Sequence, residues 1–167
     1  MNKQKPIIKY RFATLADLEK VSFFGKELMD FHKKYGWYYT FKKDYANEIK
    51  KENKAAILSK DSFVLVAEEK GKLIGYALVA VNPIPNEPMQ IYVWKNEAEL
   101  VDLYVEKGYR EHKVGEHLLK KAFKIAKQKG IDVVRVVIDR RNKRARHFYL
   151  KEGLDLYDEV FVKRMRK

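Results

Sequence analysis

Residues 106–115 join a predicted strand that ends at Val105 to a predicted amphipathic helix. Arg110, His112 and Lys113 place positive side chains in this connection. The first backbone amides of the following helix have no carbonyl partner within the helix, and the helix dipole is positive at that end. The pattern therefore predicts a site for an anion such as phosphate, although an ordinary connection with solvated charges would have the same composition.

A second polar stretch follows the next predicted strand. Asn142 stands ahead of a predicted helix, and Ala145, Phe148 and Tyr149 share one side of it. Gly153 lies where a glycine would end that helix. From this periodicity alone, Tyr149 is interpreted as a core aromatic residue beside Phe148.

Two carboxylates lie in the predicted strand 99–105. Strict alternation places Glu99 on the face of Val101, Leu103 and Val105, and Asp102 on the opposite face. A carboxylate among apolar neighbours has a raised pKa, as a general base needs. Either acid has an alternative role, because it could cap the end of the sheet or pair with a lysine.

The elements that must position these residues alternate along the chain. Strands are predicted at about 7–12, 62–67, 72–81, 99–105, 133–138 and 156–165. Helices are predicted from Thr14, which with Asp17 resembles a capping box, from about Asp44 to Leu58, around residues 118–126 before Gly130, and after Asn142. Such interleaving predicts an α/β or α+β fold. No linker or repeat divides the chain, so one domain is expected over residues 1–167, and residues 82–94 have room for one more strand.

Composition narrows the classes of function. The 167 residues include no cysteine, which excludes a disulfide framework, a thiolate zinc site and a cysteine nucleophile. The four histidines lack metal-ligand spacing, so no metal is expected. No apolar run suits a membrane span and residues 1–6 do not resemble a signal peptide, so we expect a cytoplasmic protein. With 36 basic and 23 acidic residues the formal charge is +13, which suits a phosphate-rich partner: nucleic acid, an anionic membrane surface or a phosphorylated cofactor.

Four motifs in this order resemble the GNAT superfamily of N-acetyltransferases, which move an acetyl group from acetyl-CoA to an amine. The family's phosphate loop, Arg/Gln-x-x-Gly-x-Gly/Ala after a strand that often ends in Leu-Tyr-Val, corresponds to residues 103–105 and 110–115. Its next motif, Asn-x-x-Ala-x-x-Phe-Tyr-x-x-x-Gly-Phe, corresponds to residues 142–154. Residues 10–18 look like its first strand and capped helix, and residues 66–76 like its second and third strands.

The resemblance implies a GNAT-like single domain. Its central sheet would be mixed and mostly antiparallel, with six to seven strands. The sheet would splay between two parallel strands, at about 99–105 and 133–138, and about four helices would flank it.

The resemblance also implies a site for acetyl-CoA. The pantetheine arm would pair with the backbone of Leu103, Tyr104 and Val105. The pyrophosphate would bind the loop amides of Arg110, Glu111, His112, Lys113, Val114, Gly115 and Glu116. Lys113 departs from the family's glycine, and we expect its amide in the site and its side chain either outward or on a phosphate.

Catalytic residues follow from the same resemblance. Asn142 would hydrogen-bond the pantetheine or the bound carbonyl, and Tyr149 would protonate the leaving thiolate. Glu99 matches the glutamate base of histone-acetylating relatives, and Asp102 resembles an acidic residue of polyamine-acetylating relatives. A water-relayed base or no base is the remaining alternative.

The acceptor is less determined by the sequence. It would be a primary amine of a small molecule, protein or peptide, acetylated directly in a ternary complex. The aromatic-rich segments 31–39 and 83–94 suit contact with it. Family members are often dimers, so the resemblance leaves a homodimer as one alternative for the assembly of this chain.

Two rival classes remain. The basic runs 140–146 and 162–167 are typical of a nucleic-acid or ribosome-associated protein, but no nucleic-acid-binding motif accompanies them. A CoA-binding GNAT fold without turnover is the other rival. Neither nucleic acid nor a membrane is the expected partner.

Overall fold

The structure, a computed structural model, describes residues 6–35, 40–82, 96–157 and 159–163. The chain divides into two compact units, Met1–Val137 and Ile138–Lys167. Two aromatic-rich segments, 31–39 and 83–94, were expected to contact the acceptor. Residues 36–39 of the first segment and all of the second lie outside the described residues. The expectation of one domain stays a prediction.

A five-stranded sheet forms the centre of the first unit. Its strands lie side by side in chain order: β1 (Ile8–Phe12), β2 (Phe63–Glu69), β3 (Lys72–Asn82), β4 (Glu97–Val105) and β5 (Val133–Arg135). The first four are antiparallel, whereas β4 and β5 are parallel. The predicted mixed, mostly antiparallel sheet is thereby confirmed, with five strands in the described part of the chain rather than six or seven.

Three α-helices among the described residues of the first unit cover its sheet. They are α1 (Leu18–His32), α2 (Tyr45–Leu58) and α3 (Val114–Gln128). Buried side chains of α1 and α2 pack with Val66, Tyr76 and Leu78 on one face. Helix α3 lies on the other face, where His117 stacks on Tyr10, whose partner Ala67 alternates with Val66. No helix among the described residues has the length and apolar character to cross a membrane.

The predicted capping residues join β1 to the start of α1. The Asp17 carboxylate accepts a hydrogen bond from the Thr14 backbone N–H at 2.8 Å, and Arg11 donates to its two oxygens at 2.7 and 3.0 Å. These hydrogen bonds, above all those from Arg11, lower the pKa of Asp17 to about 2. The first helix is therefore attached to the edge strand as well as to the core.

The second unit contains one helix, α4 (Lys143–Lys151), among its described residues. Asn142 caps its start, and Gly153 ends it with a φ of 87°, as predicted. The strand predicted at 156–165 does not form in residues 156–157 and 159–163, where Tyr157 and Phe161 are 98% and 90% exposed. Residues of high β propensity make a strand only where a neighbouring strand satisfies their backbone.

Candidate functional site

Strands β4 and β5 pair over three residues and then separate. The pairs are Glu97 with Val133, Ala98 with Val134 and Glu99 with Arg135, where β5 ends although the prediction extended it to Ile138. Strand β4 continues to Val105, so its backbone beyond Glu99 has no parallel strand beside it among the described residues of the first unit. Such an edge can hydrogen-bond an extended ligand, and it contains Leu103 and Tyr104.

A tight turn leads from this edge into α3. Residues Lys107–His112 form a 3-10 turn, and Lys113 follows in the left-handed conformation with φ at 60°. The Lys113 carbonyl accepts the first hydrogen bond of α3, from the backbone N–H of His117 at 3.0 Å. By helix geometry, the amides of Val114, Gly115 and Glu116 therefore have no carbonyl partner within α3.

Lys113 has a backbone conformation that favours glycine, the residue that the motif resembled by the sequence has at this position. A side chain is strained at this φ, and glycine is not. The Lys113 side chain is exposed, as are those of Glu111 and His112. The turn therefore presents amides without a partner in α3, and the positive side chain of Lys113, at the start of a helix.

Polar contacts hold the base of the turn. The Arg110 Nε donates to the Val105 carbonyl at 2.9 Å, and the Glu106 carboxylate pairs with Lys20 and Lys72. The Tyr109 hydroxyl donates to Glu69. Arg110 thus supports the loop, and its predicted contact with a phosphate stays a prediction.

Gly75 allows β3 and β4 to approach each other beside this turn. A Cβ at Gly75 would lie 2.7 Å from the Tyr104 carbonyl oxygen, closer than van der Waals contact allows. Sequence reasoning assigned no purpose to this glycine, because the pattern of an apolar strand does not show which backbone atoms lie across from it.

Strand β4 carries a bulge opposite the centre of β3. Val79 pairs with Leu100 and Leu78 pairs with Asp102, so that Val101 is the extra residue of β4. A bulge of this kind interrupts the alternation of side chains between the two faces of a sheet.

The bulge brings the two candidate acids to one face. Glu99 pairs with Ala80 and Asp102 with Leu78, and alternate residues of β3 share a face. This is the face that α1 and α2 cover. The predicted placement of Glu99 and Asp102 on opposite faces, with Glu99 beside Leu103, is wrong because strict alternation does not hold across a bulge.

Glu99 takes part in an ion pair at the point where the strands separate. Its Oε2 lies 2.9 Å from Nη2 of Arg135, and the Nε of Arg135 lies 3.2 Å from Glu97. The Arg135 side chain is half exposed. Glu99 therefore joins β4 to β5 through an arginine, whereas the alternative to catalysis considered from the sequence was a cap at the sheet end or a pair with a lysine.

Asp102 lies in a different environment. It is 8% exposed, and its Oδ2 accepts a hydrogen bond of 2.5 Å from the Tyr76 hydroxyl. Burial raises the pKa of Asp102 to about 6, the Tyr76 hydrogen bond opposes that rise, and the charge of Glu52 adds to it. Sequence reasoning missed Tyr76, because a tyrosine in an apolar strand looks like any other core residue.

The predicted residues of the second unit lie on and before α4. The Asn142 Oδ1 accepts a hydrogen bond of 3.2 Å from the Ala145 backbone N–H, which makes Asn142 the cap of the helix. The ring of Tyr149 lies 5.2 Å from that of Phe148 in an edge-on contact. Their roles toward a ligand stay predictions from the motif.

The first unit thus combines an unpaired strand edge, free amides with positive side chains at its end, and a buried acid of raised pKa. An unpaired edge fits an extended arm that carries amide groups, and free helix amides fit a phosphate. Coenzyme A has both an extended arm with amide groups and phosphates. The strand edge fits the arm, and the helix amides fit the phosphates.

Comparison with known proteins agrees with this arrangement. A model of the acetyltransferase (GNAT) family matches residues 22–154. A spermidine N(1)-acetyltransferase of Thermoplasma acidophilum is 37% identical over 70 residues, which are 42% of this chain and 44% of that protein. The chain thus matches less than half the length of that relative. An uncharacterized N-acetyltransferase of Archaeoglobus fulgidus is 31% identical over 117 residues, 70% of this chain and 73% of its own length.

A solved structure extends the likeness over the whole chain. An aminoglycoside N-acetyltransferase in complex with CoA superposes with a TM-score of 0.74 and covers 100% of both chains. Its sequence identity is 15%, so this likeness concerns the fold.

Proposed function

Because the chain belongs to the acetyltransferase (GNAT) family, we propose that it is an N-acetyltransferase that uses acetyl-CoA to acetylate a primary amine. The acceptor would be a small molecule, a protein or a peptide. Transfer would be direct, within a ternary complex of enzyme, donor and acceptor.

One observation carries the proposal: the unpaired edge of β4 leads directly into the free amides of α3. The edge begins after Glu99 and ends at Val105, and α3 begins at Val114. Backbone groups of Leu103, Tyr104 and Val105 would bind the pantetheine arm, and the amides of residues 110–116 would bind the pyrophosphate. The acetyl thioester is the chemistry that acetyl-CoA supplies when bound.

We assign the general base to Asp102 rather than Glu99. A base must accept a proton from the acceptor ammonium, because only the neutral amine is nucleophilic. The pKa of Asp102, near 6, suits a base that works at neutral pH, whereas the Glu99 carboxylate is already shared with Arg135. Asp102 also lies on the strand that borders the proposed donor site.

The proposed transfer begins at the acceptor ammonium. Asp102 takes one proton from the ammonium, and the freed nitrogen forms a bond to the thioester carbonyl carbon. The carbon–sulfur bond breaks, and the sulfur keeps its electron pair. The nitrogen, now bonded to carbon, loses its second proton to solvent, which leaves the neutral amide. Tyr149 would give the thiolate a proton and regain one from solvent, and Asn142 would hydrogen-bond the donor; both roles rest on the motif of residues 142–154.

The relatives support an amine acceptor without identifying it. Their names specify spermidine in one case and an aminoglycoside in another, and both are amines. The exposed rings of this chain near the end of α1, among them Phe31, suit contact with an alkyl amine.

The direct test measures CoA release from acetyl-CoA with a panel of polyamines, aminoglycosides, peptides and ribosomal proteins. We expect turnover with at least one amine, and loss of most of the turnover in Asp102→Asn but not in Glu99→Gln. Binding of acetyl-CoA without turnover on any acceptor would instead favour the CoA-binding fold without activity.

A further inference from the structure

Beside the proposed base lies a small polar cluster between α1, α2 and β3. Its members are Asp102, Tyr76 and Asn53, and all three are buried. The Tyr76 side chain is fully buried, and its hydroxyl donates to Asp102 at 2.5 Å. Polar groups in such a place cost stability unless they are paired, which makes their arrangement informative.

We infer that Tyr76 is a positioning residue for the transfer: its hydroxyl, held between α1 and α2, orients the Asp102 carboxylate and controls its readiness to accept a proton. This inference rests on the proposed function, because it assumes that Asp102 is the base.

Gly25 of α1 makes room for the Tyr76 hydroxyl. A Cβ at Gly25 would lie 3.1 Å from the Tyr76 oxygen and 2.8 Å from Cγ2 of Ile49. The Tyr76 ring also stacks on Phe24, with 6.1 Å between the ring centroids. Helix α1 thus leaves the phenol oxygen little freedom to move away from Asp102.

The side chain of Asn53, in α2, lies near the same point of α1. Its Nδ2 would lie 3.6 Å from the same Cβ position at Gly25. Asn53 is 1% exposed, and this nitrogen has no hydrogen-bond partner among the described residues. This nitrogen makes no hydrogen bond to the Tyr76 hydroxyl, whose own hydrogen bond goes to the Asp102 carboxylate.

The charged groups around the cluster are few among the described residues. Helix α2 contributes Glu52, whose charge raises the pKa of Asp102. Helix α1 contributes Lys20, paired with Glu106, and Glu27, whose charge acts on Tyr104 beside Asp102. Strand β4 contributes Glu99, which Arg135 of β5 pairs.

Tyr76 therefore opposes the other influences on Asp102. Burial and Glu52 raise the pKa of Asp102, and the hydrogen bond from Tyr76 lowers it. Without the hydroxyl, the carboxylate would bind its proton more tightly and would be a usable base only at higher pH.

The test is the pH dependence of kcat/KM in Tyr76→Phe. We expect the acid limb to move upward by about one pH unit, which lowers kcat/KM about fivefold at pH 6 and leaves it nearly unchanged at pH 9. Tyr45→Phe is the matched control, since it removes a phenol that donates to Asp30 at 2.6 Å outside the site. Its profile should stay that of the wild type.

A second replacement keeps the shape of the side chain. A fluorotyrosine placed at position 76 is a stronger donor, so the acid limb should move to lower pH. Carbon NMR of the Asp102 carboxyl, assigned with Asp102→Asn, reads the same shifts in both variants without any acceptor. The NMR titration therefore tests whether the Tyr76 hydroxyl affects the titration of Asp102, even if no acceptor has been found.

The outcomes separate the two proposals. Opposite shifts in the two Tyr76 variants support the inference. If the acid limb of kcat/KM and the titration of the Asp102 carboxyl stay unchanged in both Tyr76 variants, the inference about Tyr76 is overturned. If Asp102→Asn is inactive in that case, the proposed acetyltransferase mechanism is unaffected. Full activity in Asp102→Asn overturns both Asp102 as base and the role of Tyr76, whereas the family's transfer reaction stands.

Discussion

At Lys113 a long side chain occupies a backbone conformation that favours glycine. Replacing it in Lys113→Gly relieves about 1–2 kcal/mol of strain, partly offset by the greater freedom of glycine in the unfolded chain. We expect a net gain of about 0.5–1 kcal/mol in the free energy of unfolding, measured in urea. If the side chain binds a phosphate, CoA binding will also weaken and depend less on salt.

Lys70 provides the control for that substitution. It also has a positive φ, 49°, but it lies in the turn between β2 and β3. Lys70→Gly should therefore gain similar stability and leave CoA binding and its salt dependence unchanged. Equal salt dependence in wild type and Lys113→Gly would exclude a phosphate contact for Lys113.

The raised pKa of Asp102 also has a consequence for stability. Since the folded carboxyl titrates at about 6 and the unfolded one near 4, the folded state holds a proton that the unfolded state releases between those values. Stability from this group therefore falls by about 2 kcal/mol as pH rises from 4 to 6, and by about 3 kcal/mol over the whole titration. Asp102→Asn should lack this fall, and unfolding in urea at pH 4.5 and 7.5 measures it.

The free energy of unfolding of Asp102→Asn is compared with that of the wild type at each pH. We expect the variant to gain stability relative to wild type as pH rises, while its turnover is lost. A constant difference between the two proteins across this range would mean that the pKa of Asp102 is not raised in the folded state.

Tyr149 has a kinetic prediction of its own. If it protonates the departing thiolate, Tyr149→Phe will lower kcat by roughly 10²–10⁴-fold while the affinity for CoA changes little. Phe148→Leu is a suitable control, because it alters the edge-on contact of the two rings without removing a hydroxyl. Turnover at the wild-type level in Tyr149→Phe would remove this residue from the mechanism.

At the scale of the elements, the close approach of β3 and β4 at Gly75 supports the proposed site. In Gly75→Ala the new Cβ would meet the Tyr104 carbonyl, a backbone atom that cannot rotate away. We expect a loss of about 1–3 kcal/mol in the free energy of unfolding and weaker CoA binding, because β4 must shift. Gly108→Ala is the control, since a Cβ there meets no atom within 4 Å.

The elements also show how far the sequence could be interpreted. Helix α2 and the start of α1 were predictable because the spacing of apolar residues and the capping box of Thr14 and Asp17 are local features. The strand predicted at 156–165 was not, because β propensity alone cannot show whether a partner strand is present. Likewise, the bulge at Val101 depends on pairing with β3, and the residue types of β4 do not indicate it.

For the whole molecule, the charge of +13 has two competing explanations, a phosphorylated donor and nucleic acid. At acetyl-CoA concentrations of about 100 times Kd, binding should add about 2.7 kcal/mol and raise the Tm by roughly 5–10 °C. A single-stranded oligonucleotide at moderate salt should leave the Tm unchanged. Equal stabilisation by the oligonucleotide would return nucleic acid to consideration.

The family and the order of the elements up to α4 follow from the sequence alone, because both are encoded in the local spacing of polar, apolar and glycine residues. Only the tertiary structure decided which acid is buried. Asp102 has its raised pKa because β3, α1 and α2 remove it from water, and Glu99 has its ion pair because β5 ends beside it. Both environments are formed by residues that are distant in the chain. The sequence alone therefore could not show that Asp102 is the proposed base and Glu99 the partner in an ion pair.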